Sequence, residues 1–405
     1  MNNKNQHIPA GYKSSPLGLI PEDWEVKRIG DFAPLQRGFD LPTDKIITGH
    51  YPVVYSNGIM NYHHEYKVKG PGVVTGRSGT IGKVTFVESD YWPHNTSLWV
   101  TNFNKNNPKF VYYLYKYLDL SKFASGSGVP TLNRNDVHSY KIAVPPLPEQ
   151  QRIVSLLSFW DTAISKQTQL VEKLTLRKRG LMQQLLTGKK RLKGFSGEWK
   201  EVRLGDVCAF LSNNTLSREQ LNNDNGEVQN IHYGDVLIKY PSVLDCNKIV
   251  LPFLNEGTYK ESMNDFIYDG DLIISDTAED ETVGKACEVQ NVGNRKILAG
   301  LHTMLLRPNA GIFAPYFLGY YINSEAYHGK LLPFIQGIKV CSIGKLAIQN
   351  TTIAIPSIDE QNAIASVLVN ADKEIEIQKQ KLMSLQEQKK GLMQVLLTGK
   401  KRIII

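Results

Sequence analysis

The stretch EQQRIVSLLSFWDTAISKQTQLVEKLTLRKRGLMQQLLT, Glu149 to Thr187, decides the fold. Within it Ile153, Leu157, Trp160, Ile164, Gln167, Val171, Leu174, Lys178, Leu181 and Leu185 are spaced alternately by four and three. That spacing is a heptad seam, and a seam needs a partner helix. A lone apolar stripe would equally suit an ordinary core-facing helix. Here the partner lies in the same chain. Ile364, Leu368, Ala371, Ile375, Gln378, Leu382, Leu385, Lys389, Leu392 and Leu396 repeat the pattern at a constant offset (364 − 153 = 211). The polar interruptions recur as well, Gln167 with Gln378 and Lys178 with Lys389. Two matching stripes predict an intramolecular coiled coil, with the two glutamines near its centre helping to set register.

Outward from the helices the repeat continues. Trp24, Arg28, Gly30 and Asp31 return as Trp199, Arg203, Gly205 and Asp206 (199 − 24 = 175). The chain is therefore two tandem copies, each an opening motif, a variable region and a long helix. The second variable region is 36 residues longer, the difference between the two offsets (211 − 175). VVYSNG from Val53 faces NIHYGDV from Asn230, and VVTGRSGTIGKV from Val73 faces IISDTAEDETVGKA from Ile273. Apolar runs ending in Gly-containing turns predict hairpins or strand–loop–strand units. Asn107-Pro108 and Ala314-Pro315 read as matching helix starts. Each copy then reaches a strand, Ile142 to Val144 or Ile353 to Ile355, and a proline. Ser357 and Glu360 have capping-box spacing. Gly188 and Gly399 are expected to end the helices, with Lys189, Lys190, Arg191 and their counterparts beside the negative helix end. Gly180 and Gly391, equivalent mid-helix glycines, are expected to mark close packing of a helix or partner.

The predicted divisions are an N-terminal extension (1–21), a first domain (22–147), a first long helix (148–188), a linker (189–198), a second domain (199–356), a second long helix (357–399) and a C-terminal tail (400–405). With 405 residues, 41% of them hydrophobic, the chain can bury two cores. Its net charge of +8 and pI near 9.0 fit a polyanionic partner. Cys208, Cys246, Cys287 and Cys341 are far apart and form no CxxC pair, which predicts reduced thiols in the cytoplasm rather than a zinc site. No signal peptide and no membrane-spanning apolar run is read.

Enzyme chemistry finds little support. Gly82-Lys83 invites a phosphate loop, but Arg77 and Val84 occupy the places where that loop needs Gly and Ser or Thr, as do Glu279 and Ala286 in the second copy. Pro145-Pro146 resembles a methyltransferase Pro-Pro motif without its flanking residues, Val144 and Leu147 standing there. His63-His64 has no second cluster, and Asp276, Glu279, Asp280 and Glu281 read as a solvated acidic loop. No catalytic residue and no metal site is expected. Polar loops suited to reading bases remain, since Arg pairs with guanine and Asn or Gln with adenine. The DNA-binding candidates are Gln36, Arg37, Ser56, Asn57, Arg77, Ser78, Lys83, Asn95 and Arg134 in the first copy. In the second they are Asn213, Asn214, His232, Tyr233, Thr277, Lys285, His302 and Lys339.

This arrangement resembles the specificity subunits of type I restriction–modification systems. The residues that carry the likeness are the paired PPLPEQ and PSIDEQ segments from Pro145 and Pro356, the GLMQQLLTGKKR and GLMQVLLTGKKR ends from Gly180 and Gly391, and the two Trp openings, together spanning residues 22 to 399. The resemblance implies an α/β (α+β) fold with two target recognition domains separated by an antiparallel two-helix coiled coil, a pseudo-twofold tandem repeat. It implies that Pro148-Glu149-Gln150 and Asp359-Glu360-Gln361 begin the long helices. It implies double-stranded DNA as ligand, each domain reading half of a split target, with two modification (methyltransferase) subunits and restriction (translocase/nuclease) subunits as partners. S-adenosylmethionine, ATP and Mg2+ would belong to those partners, and this chain would bind no cofactor. A helix of about 39 residues, roughly 58 Å at about 1.5 Å per residue, would space the half-sites. Asp276-Thr277 stands where the first copy has Gly76-Arg77, as expected of halves that read different sequences. Two other readings compete. A stand-alone DNA-modifying enzyme lacks the motifs, and a structural coiled-coil adaptor would show no salt-dependent duplex binding.

Overall fold

A computed structural model describes residues 8–126 and 130–403. The expected extension and tail thus lie partly outside the described residues. The chain divides into two compact units, Met1–Thr168 with Gln380–Ile405, and Gln169–Lys379. Each unit contains one globular domain, the first half of one long helix and the last half of the other.

The two long helices run Leu147–Leu185 and Ile358–Leu396, 39 residues each. Gln167 and Gln378 are equally placed near their centres (167 − 147 = 378 − 358). Gln167 is buried and Gln378 half-buried. Seam residues Ile153, Leu157, Leu174, Ile364, Leu368 and Ile375 are buried, whereas Trp160, Ile164, Val171, Leu382 and Leu385 are half-buried. Within each unit the helix halves are antiparallel. In the first, Glu149 pairs with Arg402 and Asp161 with Lys389. In the second, Glu360 pairs with Arg191 and Asp372 with Lys178. The helix ends are built into the domain cores. Ile153, Leu157, Met393 and Leu396 pack in one cluster with Phe32, Phe110 and Tyr113. Leu185, Leu186, Ile364 and Leu368 pack with Leu204, Phe317 and Ile353.

Both helices stop by the same device. Gly188 and Gly399 adopt φ of 68° and 72°, a left-handed conformation that glycine takes without a Cβ clash. Beyond them the Lys190 and Lys401 amides reach back to the carbonyls of Gln184 and Val395 at 3.1 and 3.0 Å. Arg191 does not serve the helix dipole as expected. It crosses to Glu360 on the other helix. A side chain added at Gly180 or Gly391 would meet nothing within 4 Å, so the expected close packing is not made within this chain. Nothing in the structure explains those two glycines.

The paired helix-start motifs explain themselves as a repeated polar clasp. Glu149 is 5% exposed and accepts the Trp24 indole N–H at 2.9 Å and the Arg402 guanidinium at 2.7 and 3.2 Å. Glu360, 1% exposed, takes Arg191 through two bonds of 2.6 Å and the Trp199 indole at 3.3 Å. The expected capping box is therefore only half formed. The Glu360 amide reaches Ser357 Oγ at 3.4 Å, while its carboxylate serves the clasp. Gln150 and Gln361 bind the carbonyls of Pro145 and Pro356 at 3.0 Å and accept the amides of Asn107 and Ala314 at 2.9 Å.

Each domain hangs on a repeated two-stranded frame. Glu25–Arg28 pairs antiparallel with Lys141–Val144, and Lys200–Arg203 with Thr352–Ile355. The first domain holds a four-stranded sheet ordered Leu35–Arg37, Ser97–Val100, Gly72–Gly76, Val84–Val87. The second repeats the order with Cys208–Leu211, Thr303–Pro308, Leu272–Ser275 and Ala286–Gln290, then adds Val243–Asp245, parallel to the last. That extra strand lies within the longer variable region. The stretch from Val53 belongs to a hairpin, Tyr51–Tyr55 with Gly58–His63. Its expected counterpart is no hairpin. Val228–Ile231 pairs parallel with Lys296–Ala299 and leads into a helix, Tyr233–Ile238. The matching helix starts also diverge. Asn107 caps Pro108–Leu118, but the second copy makes the short helices Phe317–Ile322 and Glu325–Leu331. The described residues of the N-terminal extension include a hairpin of Tyr12–Ser15 with Gly18–Pro21. The Tyr12 hydroxyl donates to the Gly399 carbonyl at 2.9 Å.

The clasp makes a stability prediction. Glu149→Ala leaves the Arg402 guanidinium and Trp24 indole without their buried acceptor. The loss is expected to be about 3 kcal/mol, the order found when one partner of a buried pair is removed. Lys190→Ala, at an exposed position, is expected to change stability by less than about 0.5 kcal/mol. Urea unfolding of both variants measures this, and equal midpoints would show that the clasp contributes little.

Candidate nucleic-acid interface

In the first domain four loops meet at the ends of the sheet strands. A Cβ on Gly76 would fall 1.8 Å from the Thr80 carbonyl and 2.7 Å from that of Ser56, so only glycine lets these backbones approach. The Arg77 amide donates to the Thr96 carbonyl at 2.9 Å, and the Arg77 carbonyl accepts from Leu132 at 2.8 Å. Ser78 also bridges to Thr131. Lys83 reaches the Asn57 carbonyl, and the Ser56 amide donates to Thr96 Oγ1 at 3.3 Å. Arg37 lies 3.0 Å from Asp40, whose same oxygen accepts from Asn95. The fold therefore gathers Gln36, Arg37, Ser56, Asn57, Arg77, Ser78, Lys83 and Asn95. Gln36, Arg37, Asn57 and Lys83 are exposed, the other four half-buried. Arg134 is exposed at the start of the helix Arg134–Ser139, two residues beyond Leu132.

Sequence reasoning missed Tyr55 and His94, whose rings lie 4.2 Å apart beside Asn95. Burial holds the His94 imidazole below its ordinary pKa. Nothing in the sequence singles out this pair, because it forms only when strands distant in the chain come together.

The second domain separates its candidates into two sorts. Asp276, Thr277, His302, Phe334, Gln336 and Ser342 are among the residues lining an open cleft of about 470 Å³. His302 Nδ1 lies 3.3 Å from both Asp276 Oδ1 and Thr277 Oγ1. Tyr233 packs edge-on against His302 at 5.3 Å. Lys339 is exposed on the loop that joins Gln336 to Ser342, between Ile338 and Val340. Asn213 is exposed and donates to the Gly300 carbonyl at 3.2 Å.

Asn214, His232 and Lys285 are placed for structure instead. Asn214 is buried and donates to Asn230 Oδ1 at 2.7 Å and the Ala299 carbonyl at 2.9 Å, while its own oxygen accepts from Leu216. His232 is buried and caps Tyr233–Ile238, accepting the Gly234 amide at 3.2 Å. Burial holds its imidazole below the usual pKa. The Lys285 ammonium donates to the Leu237 carbonyl at 2.6 Å, and burial lowers its pKa too. In Asn214 both ends of the amide are committed to neighbouring groups, whereas only Nδ1 of His232 and one bond of the half-buried Lys285 ammonium are engaged in this way.

Among the described residues, His63, His64 and Glu65 bring potential metal-ligand atoms within 4.8 Å of one another. His63 Nδ1 is already engaged by the Ile47 backbone at 3.1 Å. All four cysteines are buried and free. No described helix is long and apolar enough to cross a membrane.

A family model described as "Type I restriction modification DNA specificity domain" matches residues 21–175 and 196–387. The chain belongs to this family. Among its relatives, the type I restriction enzyme MjaVIII specificity subunit of Methanocaldococcus jannaschii is 25% identical, covering 95% of this chain and 94% of its own. The putative MjaX specificity subunit of the same organism is also 25% identical, covering 97% of each. A crystal structure of the type I restriction–modification S subunit from M. genitalium superposes with a TM-score of 0.57 at 15% identity, over 92% of this chain and 96% of that one. A chain from a study of complex assembly and conformational transition in the type I system gives 0.58 at 18%, over 94% and 99%. At that identity the two structures establish the shared fold. As a specificity-family member this chain is a DNA-recognition component with two target recognition domains.

Asn214→Ala and Arg77→Ala are expected to part company. The first strips partners from buried polar groups and should cost about 1–3 kcal/mol of stability. The second, on a loop, should stay within about 0.5 kcal/mol of wild type and weaken duplex binding. Melting temperatures and duplex titrations on both variants measure this; a stable Asn214→Ala protein with impaired DNA binding would return Asn214 to the reading surface.

Proposed function

We propose that this chain reads a split DNA sequence, the first domain one half and the second the other, and carries the subunits that act on it. The observation that supports this reading is a repeated frame bearing unlike loops. Strands Gly72–Gly76 and Leu272–Ser275 occupy the same place in their sheets, yet one leads to Gly76-Arg77 and the other to Asp276-Thr277. A frame that repeats while its tips diverge suits two readers of two sequences. Arg37, Arg77 and Lys83 bring cationic donors suited to guanine edges or phosphates. Thr277 and His302 line a cleft that offers both donors and acceptors, with Tyr233 packed on His302 and Lys339 on the loop between Gln336 and Ser342. We assign Gln36, Ser56, Asn57, Ser78, Asn95, Arg134 and Asn213 to the same surfaces.

Two modification subunits would dock around the long helices and supply methyl transfer with S-adenosylmethionine, and restriction subunits would add ATP- and Mg2+-dependent translocation and cleavage. The helices, continuous over 39 residues each, would then fix the gap between half-sites. Binding should weaken steeply with salt, because each phosphate contact releases counterions. Replacing residues 33–141 with the first domain of another family member is expected to change one half of the methylated motif and leave the other half intact. Methylation-sensitive sequencing of DNA from cells carrying the complex reads the outcome, and a change in both halves would defeat the assignment of one domain to one half.

A further inference from the structure

The seam lysines are the strongest feature that DNA reading leaves unexplained. Lys389 is 6% exposed, unusual for lysine in a helix pair. Its ammonium pairs with Asp161 on the other helix. Asp161 Oδ2 also accepts the Tyr113 hydroxyl at 2.6 Å, and the Lys389 ammonium lies 5.2 Å from the Tyr113 ring centre. Tyr113 belongs to the first recognition domain, on the helix Pro108–Leu118. Three elements thus meet at one carboxylate.

The second unit repeats the arrangement. Lys178 donates to Asp372 Oδ1 at 2.6 Å, Tyr320 donates to Asp372 Oδ2 at 2.6 Å, and the ammonium lies 5.1 Å from the Tyr320 ring centre. The pairs Asp161/Asp372 and Lys178/Lys389 share the offset of 211 (372 − 161 = 389 − 178). The tyrosines come from helices whose lengths differ, 11 and 6 residues, yet each delivers its hydroxyl to the same carboxylate oxygen. Burial, then the neighbouring carboxylate, raises the pKa of both phenols, in keeping with their role as donors. Apolar packing alone would tolerate rotation of a domain about the helices. A hydrogen-bonded carboxylate shared by domain and both helices does not, because each partner has a direction.

We propose that Lys389–Asp161–Tyr113 and Lys178–Asp372–Tyr320 are positioning residues that hold each recognition domain at one angle on the helix pair and so determine how strictly the gap between half-sites is enforced. This rests on the split-target reading above. None of the six residues is placed at a base.

The test uses the full chain assembled with its modification subunits. Lys389→Met keeps the length and apolar stem of the side chain and removes the charge. Affinity is measured for duplexes carrying the preferred gap and for duplexes one base pair longer or shorter. In the variant, discrimination by gap is expected to fall by about tenfold, or about 1.4 kcal/mol, with half-site preferences unchanged. A merely stabilising role would lower the melting temperature and weaken all duplexes together, leaving the ratio as in wild type; that result overturns the proposal. Should Lys389→Met fail to fold, Tyr113→Phe, which removes one hydroxyl, is read by the same ratio and decides in the same way. Wild-type protein showing no gap preference would defeat the split-target reading, and this inference with it; a wild-type preference that both variants retain defeats this inference alone.

Discussion

Two buried carboxylates organise this molecule. Glu149 and Glu360 sit where a domain ends and a long helix begins, and each collects an indole from the residue just before its domain's opening strand and a guanidinium from the tail of the opposite helix. A charge taken out of water is tolerable only when its partners are close and well aimed. Meeting that demand forces three remote segments to one point. Domain, helix start and helix end are thereby fixed together, twice, by the same residue types. The neighbouring glutamines extend the effect by occupying backbone groups that the proline turns leave unpaired.

Upon that frame the two domains are free to differ. The sheets keep a common strand order, while one domain gains a parallel edge strand and exchanges a hairpin for a strand and helix. The repeated part includes the buried polar groups of the clasp, which must be satisfied inside. The candidate reading loops lie at strand ends, where many side chains face solvent and a change disturbs little packing. Recognition by such loops can diverge without threatening the fold.

What the sequence made legible follows the same division. Helices, tandem copies and seam could be read because periodicity and near-identical motifs survive in one dimension. Glu149 and Arg191 could be seen to recur, but not that an arginine placed beside its own helix end would reach across to the other helix. The residues of the first loop cluster could be named one by one from their polar character beside glycine turns, but not that the sheet would gather them at one end. The internal bonds of Asn214, His232 and Lys285 were not legible, because burial is a property of the assembled domain: the same Asn that could read an adenine satisfies the backbone of a neighbouring strand. Tyr55 and His94 were invisible for a related reason, being brought together only by pairing of distant strands.

The division of the chain bears on how it is made. The second unit is one continuous segment, Gln169–Lys379, whereas the first unites residues up to Thr168 with residues from Gln380 onward. On the ribosome the first domain emerges earliest, yet its clasp waits for Arg402 and its core for Met393 and Leu396. More than two hundred residues must be synthesised in between (379 − 168 = 211). Closing so long a loop slows folding, and an incomplete core exposes apolar surface meanwhile. The nascent first domain therefore spends most of translation without its last helical wall, while the domain made second has its own parts to hand as soon as Lys379 is clear.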